Sequence, residues 1–207
     1  MVVKTPSSLV WDDKAGIGYY PAHPENVYDK AYFDKYVRYA GTPMGRALTE
    51  ARIAFVEEHV RKAEAIDIGI GCGQFVEERM KTGAPTYGCD VNPSGVEWLA
   101  ARRLYRDPFQ DRFSVMTFWD SLEHIDDPLP IVKRAGEWIF LSIPIFTGLD
   151  HVFASRHFRP DEHYWYFRRD GLIDWMRILG FRLVRESRFE VDLGREDIGT
   201  FSFRRRT

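Results

Sequence analysis

The chain has 207 residues, 44% of them hydrophobic and 29% charged, with a formal net charge of −2. That length buries a substantial core in one domain, and so small a charge excess excludes a surface that traps nucleic acid as a whole. Two cysteines, Cys72 and Cys89, are too few for a disulfide framework and lack metal-ligand spacing.

No apolar run reaches membrane-spanning length, and the N-terminus lacks a basic start followed by an apolar block. A soluble cytoplasmic protein with no membrane partner is expected. Residues 1–27 hold prolines and glycines with little periodicity, which predicts an irregular arm. In "YDKAYFDKYVRYA" (28–40) aromatics recur at positions 28, 32, 36 and 39, the spacing of one helical face. Thr42-Pro43 then offers a cap and a proline at the first helical position. The helix it starts runs to about Arg61, with Met44, Leu48, Ala51 and Phe55 as its apolar stripe.

"EAIDIG" (64–69) reads as a short buried strand that runs into a glycine loop, and "QFVEERMKTG" as a helix closed by Gly83. "PTYGCDV" (85–91) is a second strand ending at Asp90. Asn92-Pro93 caps a helix with Val96, Leu99, Ala100 and Leu104 at helical spacing, stopping near Asp107-Pro108. "RFSVMTFWD" (112–120) is a third strand, Asp127-Pro128 starts a brief helix ended by Gly136, and "EWIFLSIPIF" (137–146) is a fourth strand. Residues 147–168 are rich in His, Arg and aromatics, including "HYWYF" at 163–167. A helix over Arg169–Leu179 and two strands, "FRLVRESRFEV" and "GTFSFRRR", complete the chain.

Alternating strands and helices predict an α/β fold with a Rossmann-like, doubly wound and mostly parallel sheet. The last two strands are too close for a crossover helix and should form an antiparallel hairpin. No linker divides residues 1–207, so one domain is expected: an arm and Tyr-rich helix at 1–41, and the core at 42–207. The Arg204–Arg206 run reads as a solvated tail.

"AIDIGIGCGQF" (65–75) places Gly69, Gly71 and Gly73 on alternate positions behind Asp67. A dinucleotide-binding loop needs G-x-G-x-x-G, and neither register here supplies it. The pattern resembles the first motif of class I S-adenosylmethionine-dependent methyltransferases, and Asp90 matches that family's ribose-binding carboxylate. "FSVMTFWDSLEHIDDP" (113–128) is similar to the corresponding strand and loop of ubiquinone-biosynthesis-like O-methyltransferases, and "LIDWMRILGF" (172–181) to their closing helix and strand. The resemblance covers about residues 45–190. It implies S-adenosyl-L-methionine as cofactor, with S-adenosyl-L-homocysteine as product, held by Asp67, Gly69, Gly71, Gly73, Asp90, Trp119 and Asp120.

The family's strand between those ending at Asp90 and Asp120 is missing or reduced here, since only a helix and "RDPFQD" (106–111) occupy that stretch. Asp107 and Asp111 are the acids left there to read an adenine.

Methyl transfer asks the protein mainly to position the acceptor, and an oxygen or nitrogen acceptor also needs a base, for which histidine is suited. The candidates are His124, His157 and His163; no metal is expected. A minor alternative lets Asp120, Glu123 and His124 share a divalent cation, as the resemblance allows. The Tyr-rich helix covers the sheet, with Tyr32 and Tyr36 the rings expected to do so, or closes as a lid, and different faces of it can do both. The expected partner is a small-molecule acceptor. Two other readings are a non-catalytic cofactor-binding protein and a nucleic-acid methyltransferase with Arg156, Arg159, Arg168 and Arg169 on phosphates. The second lacks an Asn/Asp-Pro-Pro-Tyr or Pro-Cys signature after the fourth strand.

Overall fold

The computed structural model describes residues 9–20 and 28–206, and it opens with a hairpin where an irregular arm is expected. Strands β1 (Val10–Asp12) and β2 (Ile17–Tyr19) pair antiparallel across Gly16, whose φ of +67° suits the turn. The strands are only three residues each, too short for a periodic signal, and they exist because β2 adds to another strand. The rest of the arm lies outside the described residues.

Helices α1 (Lys30–Ala40) and α2 (Pro43–Glu57) follow. Thr42 caps α2, its Oγ1 accepting the Gly45 N–H at 3.0 Å. The core then alternates β3 (Ala65–Ile68), α3 (Gln74–Lys81), β4 (Thr86–Cys89), α4 (Pro93–Ala101), β5 (Val115–Trp119), α5 (Leu129–Arg134) and β6 (Trp138–Phe146). Within 147–168, left unassigned from sequence, lie α6 (Leu149–Ala154) and β7 (Trp165–Arg168). Then come α7 (Arg169–Ile178), β8 (Phe181–Ser187), α8 (Phe189–Asp192) and β9 (Ile198–Arg205). Strand β8 is shorter than expected because the chain turns into α8.

Parallel strands run in the order β4-β3-β5-β6, and β9 pairs antiparallel with both β6 and β8. This is the doubly wound sheet with a closing hairpin that the alternation predicts. The residues of β5 and β6 divide between two faces with the strand period of two. Val115, Trp119, Trp138 and Phe140 pack with Phe55 and Val56 of α2 and Phe75 of α3. Met116, Phe118, Ile139 and Leu141 pack with Ile131 and Val132 of α5 and Leu172 and Met176 of α7. Both faces are covered by helices, so these strands are buried along nearly their whole length and mostly apolar, with Thr117 and Ser142 the polar exceptions.

Two departures position the site. The expected edge strand beyond β4 is reduced to a single parallel bridge between Gly88 and Tyr105, with Gly88 N–H donating to Leu104 O and Arg106 N–H to Gly88 O. At the other side, β7 pairs with only the last two residues of β6, Ile145 and Phe146, and carries β2 and β1 outward. The small β1-β2-β7 ribbon therefore builds on the carboxyl end of the sheet. In open α/β sheets that is the end where ligands bind.

Candidate active site

One cavity of about 990 Å³ opens at the carboxyl ends of β3, β4 and β5. This is the upper end of the range for small-molecule sites, roughly 300–1,000 Å³. Its floor is the glycine loop between β3 and α3. Gly69, Gly71 and Gly73 all have positive φ, at +77°, +59° and +82°. Their surroundings differ. A Cβ on Gly73 would lie 2.6 Å from the Trp98 ring, while one on Gly71 would meet nothing nearer than Tyr36 at 3.9 Å. Gly73 thus lets α4 pack against the loop, and Gly71 leaves the backbone bare toward the cavity.

Asp67 lines the cavity but is 2% exposed, and Thr117 Oγ1 donates to its Oδ1 at 2.6 Å. Burial pushes its carboxyl up to about 7. Asp90 stands at the end of β4, where its Oδ1 accepts the Asn92 N–H at 2.7 Å. Burial raises this carboxyl too, against the backbone N–H groups of Asn92, Val91, Gly71 and Ile70. Where the edge strand is reduced, Tyr105, Asp107 and Phe109 wall the cavity; Asp111 does not. Asp107 Oδ1 accepts the Phe109 N–H and its Oδ2 the Gln110 side chain, both at 2.8 Å.

Trp119 and Asp120, at the end of β5, both line the cavity. The Trp119 ring packs edge-on to Phe75, with the Arg52 guanidinium 5.0 Å from its centroid. Asp120 has a φ of +55° and both of its oxygens engaged. Oδ2 accepts from Arg52 Nη2 at 2.7 Å and Arg195 Nη1 at 2.9 Å, and Oδ1 from Arg195 Nη2 at 3.0 Å. The same two arginines hold Glu190, whose side chain is fully buried. They keep the Asp120 carboxyl well below the usual carboxylate range, against the effect of burial. Asp120 is therefore the centre of an ion-pair network joining α2, β5, α8 and the 193–197 turn. Sequence reasoning missed this, because Arg52, Glu190 and Arg195 have no pattern that ties them to position 120.

All three candidate histidines line the cavity. His157 donates from Nε2 to the Glu196 carbonyl at 3.0 Å, which leaves Nδ1 as its acceptor. His124 Nδ1 lies 3.3 Å from the Tyr28 hydroxyl. The rings of His124 and His163 meet edge to face at 4.6 Å. Burial lowers all three imidazoles, His163 furthest, with His124 adding to the effect there. They are neutral at neutral pH. Burial, and then Asp120, pushes Glu123 well above the usual carboxylate range. Glu123 Oε2 and His163 Nδ1 are both buried and have no hydrogen-bond partner among the described residues.

Ligand atoms of Glu123, His124 and His163 lie within 4.8 Å of one another. The set Asp120, Glu123 and His124 is not what the fold assembles. Two guanidiniums occupy Asp120, and His163, from the turn before β7, stands beside the other two instead. Position 163 is 39 residues further along the chain, so spacing could not show it.

Helix α1 crosses the cavity mouth with Tyr28, just before it, and Tyr32 and Tyr36 on the inner side. It is tied at both ends. Asn92 Nδ2 donates to Asp29 O at 3.0 Å, and Gln74 Nε2 donates to Ala40 O at 3.1 Å. Tyr32 and Tyr36 face the cavity and each other, 3.3 Å between hydroxyls, rather than covering the sheet.

Residues 36–186 match the family model described as a methyltransferase domain, which takes in the glycine loop, Asp90, Trp119 and all three histidines. The chain belongs to the methyltransferase-domain family. Ubiquinone biosynthesis O-methyltransferase from Nitrosospira multiformis is 25% identical over 132 residues, 50% of this chain and 53% of that one. The chain thus spans about half the length of that relative. The protein of the same name from Leptothrix cholodnii is 24% identical over 166 residues, 64% of this chain and 71% of that one. Among solved structures, magnesium protoporphyrin IX methyltransferase from Synechocystis with bound SAH superposes with a TM-score of 0.61 at 14% identity, covering 86% of this chain and 96% of that one. The 1,6-didemethyltoxoflavin-N1-methyltransferase of Burkholderia thailandensis, solved with its acceptor and S-adenosylhomocysteine, gives 0.60 at 16% identity, covering 97% and 100%. These likenesses establish the Rossmann-like methyltransferase fold for this methyltransferase-domain protein. No helix among the described residues is long and apolar enough to cross a membrane.

Proposed function

We propose that the protein transfers a methyl group from S-adenosyl-L-methionine to a small-molecule acceptor at oxygen, nitrogen or carbon. The observation that carries this reading is a single cavity with the bare Gly71 backbone and Asp90 on its floor and neutral histidines in its wall. When bound, the cofactor supplies a methyl on a sulfonium with a neutral leaving group. Asp90 would accept from the ribose hydroxyls, Gly69, Gly71 and Gly73 with Asp67 would hold the methionine half, and Trp119 would wall it. Asp120 serves through the Arg52–Arg195 network, which fixes the turn after β5. His157, with Nδ1 unengaged, or His163 takes the acceptor's proton as the new bond to carbon forms. Tyr28, Tyr32 and Tyr36 exclude water as a lid.

Calorimetric titration with S-adenosylhomocysteine tests the binding half, and turnover on a panel of hydroxylated and amino metabolites tests the transfer. No heat with the first ends the reading; binding without turnover leaves a non-catalytic binder. The nucleic-acid alternative is disfavoured because Arg159, Arg168 and Arg169 are paired with Glu162, Asp13 and Asp170, and Glu186.

A second reading of the acceptor end follows from the two partnerless buried atoms. Glu123, His124 and His163 would hold a divalent transition ion, a donor set of two imidazoles and one carboxylate. Such an ion would polarise an acceptor oxygen. Turnover that falls with a chelator and returns with added zinc or manganese favours it over histidine alone.

A further inference from the structure

A second, smaller cleft of about 290 Å³ lies across the 125–128 loop from the main cavity. Its walls are three aromatic rings from three elements: Tyr19 of β2, Trp165 of β7 and Trp175 of α7. Asp126 and Asp127 stand on its rim, and Pro128 and Leu129 complete the lining. We infer that this cleft is a binding site for a small organic cation of the methylated-ammonium class, beside the methyl-transfer cavity and sharing Asp126 and Asp127 with its wall.

The rings belong to one aromatic cluster. Tyr19 and Trp165 meet at 4.8 Å between centroids with planes 48° apart. Buried Phe167 lies behind, 6.3 Å from Trp165 and 5.8 Å from Trp175, so the two indoles stand on either side of it. The polar atoms of Tyr19 and Trp165 are engaged by the 125–128 loop. Tyr19 donates to Asp126 Oδ1 at 3.0 Å, and Trp165 Nε1 is shared between the carbonyls of Ile125 and Asp126, both at 3.0 Å. With those atoms engaged, the three rings give the cleft a largely aromatic wall, and ring faces attract positive charge.

Charge points the same way. Asp127 Oδ1 accepts the Leu129 N–H at 3.1 Å, and Asp126 Oδ1 accepts only from Tyr19. No basic residue lines the cleft. Burial and the adjacent Asp126 both raise the Tyr19 phenol, a sign of negative potential at this wall. An anion is repelled here, and a neutral apolar group leaves the two carboxylates unused. A small hydrated metal ion prefers oxygen ligands to ring faces. A cation whose charge is spread over methyl groups suits both the rings and the acids. A cleft of about 290 Å³ holds a choline-sized ligand and little more.

The test uses the whole chain saturated with S-adenosylhomocysteine, so that the cofactor part of the main cavity is filled and its occupancy is verified independently in the same sample; Trp165, which lines the cleft and not the main cavity, separates the two sites. Choline and tetramethylammonium are titrated by calorimetry and tryptophan fluorescence, beside the neutral isostere 3,3-dimethylbutan-1-ol. Saturable binding of the cations is expected, with the isostere at least about fivefold weaker. Asp126→Asn/Asp127→Asn, which removes both rim charges while keeping an oxygen for the Tyr19 hydroxyl and the Leu129 N–H, should weaken the cations and leave the isostere unchanged. Trp165→Leu should abolish binding; if that variant fails to fold, the double asparagine variant carries the test alone. Equal affinity for the isostere, no saturable binding, or full affinity in the double asparagine variant overturns the inference. Failure of S-adenosylhomocysteine to bind would instead count against the methyltransferase reading.

Discussion

Replacing Asp67 with asparagine should make the protein more stable, and increasingly so as the pH rises. The side chain is 2% exposed, and its carboxyl sits at about 7 against an ordinary value of 3.8, chiefly through burial. A raised acid binds more protons in the folded than in the unfolded state between those two values. Stability therefore falls as pH rises through that window, and the loss is complete above the folded value. A gap of about three units at 1.36 kcal/mol each gives roughly 4 kcal/mol in full, of which about 2 to 3 kcal/mol develops between pH 5 and pH 8. Asparagine keeps an oxygen for the Thr117 hydroxyl and carries no charge to bury, so it should lack this component. The assay is urea denaturation of both proteins at several pH values without cofactor, compared as differences at each pH. A difference that stays constant between pH 5 and 8, or moves in favour of the wild type, would refute the assignment of Asp67 as a buried, destabilised acid.

Three further outcomes are expected. Asp90→Asn retains the acceptor for Asn92 N–H, so its urea midpoint should hold near the wild type. Its affinity for S-adenosylhomocysteine should fall about 10- to 100-fold by calorimetry, from weakening a charged acceptor worth about 1.5–3 kcal/mol per bond. Gly73→Ala puts a Cβ 2.6 Å from the Trp98 ring at a φ of +82°. Left-handed strain of about 1–2 kcal/mol and overpacking of about 1–3 kcal/mol should lower its thermal midpoint, whereas Gly71→Ala bears only the strain. Arg195→Met leaves fully buried Glu190 and Asp120 sharing Arg52 alone, a loss of about 3–5 kcal/mol in denaturant titration. Adding Glu190→Gln to that variant should recover part of it; no recovery would mean that the charges are not what couples these groups.

Much of this protein is visible in local pattern. The near-continuous apolar run "VMTFW", period near four in the tyrosine helix, and the Thr42-Pro43 and Asn92-Pro93 caps are patterns within a few residues, so the sequence states them directly. The loop of Gly69, Gly71 and Gly73 is legible for the same reason, since positive φ is a property of one residue and its neighbours. The β1-β2 hairpin and β7 were not, because three- and four-residue strands take their stability from the partner they meet across the chain. The site divides likewise. Asp67 and Asp90 stand near the carboxyl ends of strands that the alternation of elements marks in the sequence. Arg52, Glu190 and Arg195 converge on Asp120 from 68, 70 and 75 residues away, and His163 reaches Glu123 and His124 from a turn that the N-terminal ribbon holds in place. Chain order determined which carboxylates stand at the strand tips. Only tertiary packing decided which are neutralised, because burial and counter-charge come from neighbours in space.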